Sequence, residues 1–217
     1  MKDLKGEVSI PTGKESINGN LEVPAGAKAI VLFAHGSGSS RFSPRNTYVS
    51  RLMNKRGIAT LLVDLLTANE EEIDEQTAQY RFNINLLANR LIDATMWLRL
   101  NPETRGLAIG YFGASTGAAA ALIAAAKLSN DVKAVVSRGG RPDLAAEHLA
   151  EVKAPTLLVV GGDDFEVLEL NKEALKLIVV EKKLEVVPGA THLFEEPGKL
   201  QEAAELAIDW FVRHLCP

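Results

Sequence analysis

Gly113-Ala114-Ser115-Thr116-Gly117 forms a G-x-S-x-G pentapeptide between an apolar run at 107–112 and an alanine-rich stretch at 118–127. A serine at a strand-to-helix turn takes a strained backbone, and small neighbours let strand and helix approach that closely. Such a turn exposes the Ser115 hydroxyl. It also leaves the first amides of the following helix unpaired, where they can hold a developing oxyanion. The chemistry this suits is nucleophilic attack on a carbonyl. The plainer alternative is a tight turn whose serine caps the helix through its side chain.

A serine hydroxyl is a weak nucleophile near neutral pH and needs a base within hydrogen-bond reach, itself oriented by a carboxylate. Of the four histidines, His148 and His214 fall in amphipathic helical patterns and read as solvated surface residues. His35 precedes Gly36 at the end of an apolar run, a position suited to holding the glycine-rich loop through its ring. His192 lies in a loop before the last helical pattern, with Leu193 and Phe194 to anchor it, and is the expected base. Gly161-Gly162-Asp163-Asp164 ends another apolar run; one aspartate could cap the next helix while the other orients His192. Either aspartate fits the acid.

These residues need elements to carry them. Continuous apolar runs at 29–34, 58–63, 107–112, 132–136, 156–160 and 184–187 predict strands covered on both faces. Helical patterns separate them, at 44–55, 74–100, 118–128, 142–151, 166–178 and 197–215. Short strands at 7–10 and 21–23, around a polar turn containing Asn18 and Gly19, predict an antiparallel start. Strand and helix alternate throughout, which predicts an α/β fold: one mostly parallel sheet with helices on both faces. Ligands of such sheets bind beyond the carboxyl ends of the strands. That is where His35, Asp64, Ser115, Arg138, Asp164 and His192 fall.

The chain resembles the dienelactone hydrolase-like branch of the α/β-hydrolase superfamily over nearly its whole length. The matching stretches are 35–41, 43–46, 81–82, 110–117, 137–143, 160–162 and 188–194. The order serine, aspartate, histidine is that of α/β-hydrolases. The resemblance implies an α/β-hydrolase fold with an antiparallel N-terminal hairpin and no cap domain. It further implies an esterase-type hydrolase with a Ser115, Asp164, His192 triad. Asp164 is preferred because the family's acid stands three residues after a glycine (Gly161) and three before a valine (Val167). Dienelactone hydrolases proper use a cysteine nucleophile; here the elbow holds serine, so a serine-nucleophile member is implied. The oxyanion hole is expected to combine the amide of Thr116 with that of Ser37.

Only Ser137 to Arg141 separate the 132–136 strand from the helix at Pro142, which leaves no room for a cap and suits small acyl groups. Arg41 and Arg138, with Arg45 nearby, are candidates to bind a substrate carboxylate or phosphate. Tying loops together is the equally simple role for them. A rival reading is a nucleotide-binding protein, with Gly36-x-Gly38 after a strand and Asp64 ending the next. Arg41 occupies the place of its third glycine, and Ser115 and His192 go unexplained. A catalytically silent protein of the same fold is the second rival.

At 217 residues the chain suits a single α/β domain over 1–217. A net charge of −4 gives no case for nucleic acid or an anionic membrane as partner. One cysteine, Cys216, excludes an internal disulfide and fits a cytoplasmic setting. Residues 1–13 lack the apolar core of a secretory signal, and no run is long enough to span a bilayer. No spaced set of metal ligands occurs, so neither metal nor other cofactor is expected; the expected partner is a small-molecule ester.

Overall fold

Every side chain of the 29–34 run is buried, and the strand period of two divides them. Ile30, Leu32 and Ala34 join one apolar cluster, while Ala29, Val31 and Phe33 join another on the opposite face. The computed structural model describes residues 3–216, so Met1, Lys2 and Pro217 of the sequence lie outside the described residues. The eight strands are β1 (Leu4–Thr12), β2 (Glu15–Val23), β3 (Ala29–Ala34), β4 (Ala59–Val63), β5 (Ala108–Ala114), β6 (Val132–Arg138), β7 (Thr156–Gly161) and β8 (Lys182–Val187). They form one sheet in the order β1-β2-β4-β3-β5-β6-β7-β8. β1 pairs antiparallel with β2, and β2 antiparallel with β4; every other pairing is parallel.

Helices α1 (Pro44–Lys55), α2 (Ala68–Thr77), α3 (Ile84–Leu100), α4 (Thr116–Lys127), α5 (Phe165–Leu177) and α6 (Lys199–Leu215) flank the sheet. α3 and α4 bring Leu87, Leu91, Leu98, Leu122 and their neighbours to one face. α1 and α6 bring Val49, Met53, Ala204, Ile208 and Phe211 to the other. At β5 the second face is bare enough for α6 to sit directly on it: a side chain at Gly110 would lie 2.8 Å from Phe211. A mostly parallel sheet with helices on both faces and an antiparallel N-terminal hairpin is the architecture that the alternation predicted. No helix of the described residues is long and apolar enough to cross a membrane.

Three local expectations are corrected. Asn18 and Gly19 are not the hairpin turn; they sit inside β2, opposite Ser9 and Val8, and the chain turns at Gly13. Alternation wins over turn propensity, because Ile17, Gly19, Leu21 and Val23 all face the core. The helix expected over 74–100 is two helices. α2 ends at Ala78 in a left-handed conformation, and the buried Asp74 carboxylate accepts the amides of Tyr80 and Arg81, folding the chain back before Asn83 caps α3. The 142–151 segment, Pro142–Glu151, is a 3-10 helix. The helices expected at 166–178 and 197–215 are shifted by one or two residues at their ends, the second starting after Gly198 in a left-handed conformation.

Candidate active site

β3 and β5 are neighbours in the sheet although β4 lies between them in sequence, so their carboxyl ends bound a topological switch point. The loop after β3 carries His35, Gly36 and Ser37; the turn after β5 carries Ser115. Ser115 sits at φ 51° and ψ −124°, a strained conformation for a residue with a side chain, and its hydroxyl does not cap α4. The capping role for this serine is therefore not the one the structure assigns. The turn closes because its neighbours are small. A side chain at Gly117 would lie 2.3 Å from the carbonyl oxygens of Ala34 and His35, and one at Gly113 would lie 2.4 Å from the Ala118 backbone. The adjacent β6 strand fixes the turn further, as the Ser115 amide donates to the Arg138 carbonyl (3.4 Å) and its carbonyl accepts from the Arg141 amide (3.1 Å).

The other two strands of this half-sheet supply a hydrogen-bonded pair. Asp164 follows β7 and His192 follows β8, and His192 Nδ1 is 2.7 Å from Asp164 Oδ2. Their loops are stitched together, with the Gly162 amide donating to the Val187 carbonyl (2.8 Å) and the Asp163 amide to the Ala190 carbonyl (3.0 Å). Asp163 thus enters the loop contact through its backbone, and Asp164 is the aspartate on the imidazole. The His192 loop is held from its far side. Thr191 donates both its hydroxyl (2.6 Å) and its amide (3.1 Å) to Glu196, whose carboxyl those bonds keep below the usual range. Phe194 takes a left-handed backbone (φ 57°) with its ring buried, which anchors the loop in the core. Gly139 lies beneath His192: a side chain there would lie 3.1 Å from the His192 carbonyl oxygen and 3.7 Å from a carbon of its ring.

Ser115 and His192 line one cleft of about 280 Å³, together with Gly36, Ser37, Arg45, Asn46 and Arg138. Hollows of about 680 and 440 Å³ lie over β1, β2 and α1 instead, and hold neither Ser115 nor His192. Thr116, in the first turn of α4, has no helical carbonyl behind its amide.

Two of the expected binding residues are placed differently from the sequence reading. The Ser37 amide, expected to face an oxyanion, donates to Thr116 Oγ1 at 2.9 Å, so the β3 loop and the elbow are bonded to each other across the mouth. Arg41 is not in the Ser115 cleft. Its guanidinium and amide both engage Asp64, and it stacks on Phe42 with 4.2 Å to the ring centre. That pairing also occupies the carboxylate that a ribose site would need. His35 is buried with both ring nitrogens used: Nδ1–H donates to the Gly36 carbonyl (2.9 Å) and Nε2 accepts the Leu65 amide (3.2 Å). Burial holds its pKa below the usual histidine value.

Sequence reasoning missed Asn46 and Asn171. Asn46 reaches the cleft because Ser43 caps α1 and aims its first turn at the β3 loop. Asn171 is buried in α5 and donates to the Gly140 carbonyl (2.9 Å), bracing the loop after Arg138. A signal existed: a polar residue on the apolar spacing Val167, Asn171, Ala174.

The sequence profile of the Dienelactone hydrolase family matches residues 17–215. A dienelactone hydrolase from Anabaena variabilis, known from its crystal structure, is 55% identical, with a TM-score of 0.97 over 99% of this chain and 100% of that one. Est1E from Butyrivibrio proteoclasticus has the same fold at 16% identity, with a TM-score of 0.82 over 98% of this chain and 100% of that one. The Mycobacterium tuberculosis protein called "Putative phosphoribosyl transferase Rv0571c" is 57% identical over 210 residues, 97% of this chain but 46% of that protein. The chain thus spans about half the length of the curated relatives it matches.

Proposed function

This chain belongs to the dienelactone hydrolase family, and we propose that it is a serine hydrolase cleaving small carboxylic or lactone-like esters through an acyl-enzyme. One observation carries the reading: a strained, uncapped Ser115 hydroxyl shares a cleft with an imidazole whose other nitrogen is bonded to Asp164. Ser115 attacks the carbonyl carbon while His192 Nε2 takes its proton; Asp164 fixes the tautomer and steadies the imidazolium that forms. The Thr116 amide, at the positive end of α4, receives the tetrahedral oxyanion. The Ser37 amide becomes the second donor by turning from the Thr116 hydroxyl to the oxyanion. His192 then protonates the departing alcohol, and water repeats the sequence on the acyl-enzyme. The three residues 139–141 between β6 and the 3-10 helix leave the cleft without a cap, which suits short acyl chains.

The phosphoribosyl transferase name belongs to proteins of which more than half lies outside the match, so we assign hydrolysis to the portion this chain represents. A net charge of −4 and a single cysteine favour a dissolved small molecule as partner in a reducing, cytoplasmic setting. The test is covalent. A fluorophosphonate probe should label the wild-type protein and not Ser115→Ala, and the variant should lose about 10⁴-fold or more in turnover of short acyl esters. Folded wild-type protein that takes no label overturns the reading.

A further inference from the structure

Arg138 is the last residue of β6, in register beside Ala114, and so stands one residue from the nucleophile on the neighbouring strand. It is 6% exposed, and its Nε and Nη1 have no hydrogen-bond partner among the described residues. The guanidinium lies between Phe112 and Phe194, 5.9 Å from each ring centre. Other partly buried arginines of this protein show what a structural role looks like: Arg41, Arg81, Arg90, Arg99 and Arg141 are each paired with a carboxylate. Arg138 has no such partner. Burial, with a smaller push from Arg45, a second cation, lowers its pKa to about 10. A buried cation without a counter-charge is costly to keep, and a site that receives an anionic ligand repays that cost on binding.

The cleft that Arg138 lines contains Arg45 as well, and no aspartate or glutamate is among its lining residues. Arg45 is half-exposed and meets Glu195 at 3.1 Å on the outer side, an exchangeable surface pair. Ser39, Ser43 and the buried Asn46 add polar groups to the same walls. Two arginines lining one small cavity match a dianion better than a monoanion. A tetrahedral phosphate offers three acceptor oxygens to donors from several directions, whereas a carboxylate fills one planar fork.

We propose that Arg138, assisted by Arg45, is the receptor for a phosphate group on the substrate, so that this enzyme cleaves carboxylic esters of phosphorylated small molecules. The inference rests on the hydrolase reading of Ser115 and names its substrate class. The phosphate is bound and not transferred: the acyl C–O bond breaks, water supplies hydroxyl to the acyl carbon and a proton to the alcohol, and the phosphate ester stays intact.

The test uses acetate esters of propanol, of 3-hydroxypropanoate and of 3-hydroxypropyl phosphate, with inorganic phosphate as a competing probe. Wild-type kcat/KM should be highest for the phosphate-bearing ester, by about tenfold or more over the neutral one. Inorganic phosphate should inhibit competitively. Arg138→Gln should lower the phosphate-to-neutral ratio by about tenfold and weaken phosphate inhibition in step. Arg138→Lys should retain part of both, and Arg213→Gln on α6 should leave the ratio where it was. Equal rates on all three esters, a preference for the carboxylate, or an unmoved ratio in folded Arg138→Gln each overturn the proposal. Should Arg138→Gln not fold, Arg138→Lys, Arg45→Gln and phosphate inhibition of the wild type decide in the same way. Loss of fluorophosphonate labelling would indict Ser115 instead, which keeps the two failures apart.

Discussion

Two residues beside Ser115 carry tests of how the elbow is built. At Gly117 an added methyl would overlap the carbonyl oxygens of Ala34 and His35, both backbone atoms of the central strand and its exit. Backbone cannot step aside as a side-chain tip can. Gly117→Ala should therefore cost about 2–4 kcal/mol and displace the α4 amides from the cleft. Chemical denaturation and fluorophosphonate labelling measure the two effects, and full labelling at unchanged stability would disprove the packing argument. His35 makes a prediction about pH. Its ring is held neutral, since Nε2 accepts the Leu65 amide and Nδ1–H is donated to Gly36, and burial lowers its folded pKa. The unfolded chain then binds a proton that the folded chain refuses, so the stabilisation is complete above the unfolded value, about 6.5, and is lost as pH falls below it. The slope reaches about 1.4 kcal/mol per pH unit until the folded pKa is met. Denaturation midpoints at pH 7.5 and 5.5 should fall further for the wild type than for His35→Gln; equal losses would remove His35 as the cause.

At the scale of elements, the loop between β8 and α6 decides where His192 stands. It is bonded to the β7 loop through Asp163 and Gly162, clamped by Thr191 on Glu196, and anchored by the Phe194 ring. Phe194→Ala should cost about 3–4 kcal/mol and should lower kcat more than KM because the imidazole loses its position. Steady-state kinetics on a neutral ester distinguish this from a purely global loss, which would leave kcat per folded molecule intact. This loop was legible before any coordinates, as were the parallel strands, because apolar runs ending in glycine, serine, aspartate and histidine encode both burial and strand exit. The hairpin turn and the break before α3 were not. Asn18-Gly19 has turn chemistry but inward-facing neighbours, and the break depends on Asp74 collecting amides six and seven residues ahead. The present partner of the Ser37 amide was hidden for a similar reason: the Thr116 hydroxyl comes from 79 positions away in the chain. Pattern reports burial; it does not report which distant group arrives at a given donor.

For the whole molecule, the sheet separates two apolar clusters, and the site hangs on the strand ends that both clusters grip. β3 contributes alternate side chains to each cluster, so neither layer can loosen without exposing the strand that carries His35. The same holds for β5, where Ile109 and Tyr111 enter one cluster and Phe112 the other. Shared strands imply shared cooperativity, and the described residues behave on this argument as one folding unit. The two tryptophans test it directly. Trp97 on α3 packs against the first cluster, and Trp210 on α6 belongs to the second, with its indole donating to the Pro155 carbonyl at 3.3 Å. Fluorescence of Trp97→Phe reports the α6 side of the sheet, and that of Trp210→Phe reports the α3 side. After correction for each substitution's effect on stability by far-UV circular dichroism, the fluorescence midpoint of each variant in urea should coincide with its own dichroism midpoint. A fluorescence midpoint at lower urea than the dichroism, in either variant, would mean that one face melts first. The strand ends would then not be held as a set, and the placing of Ser115, Asp164 and His192 on those ends would depend on one layer alone.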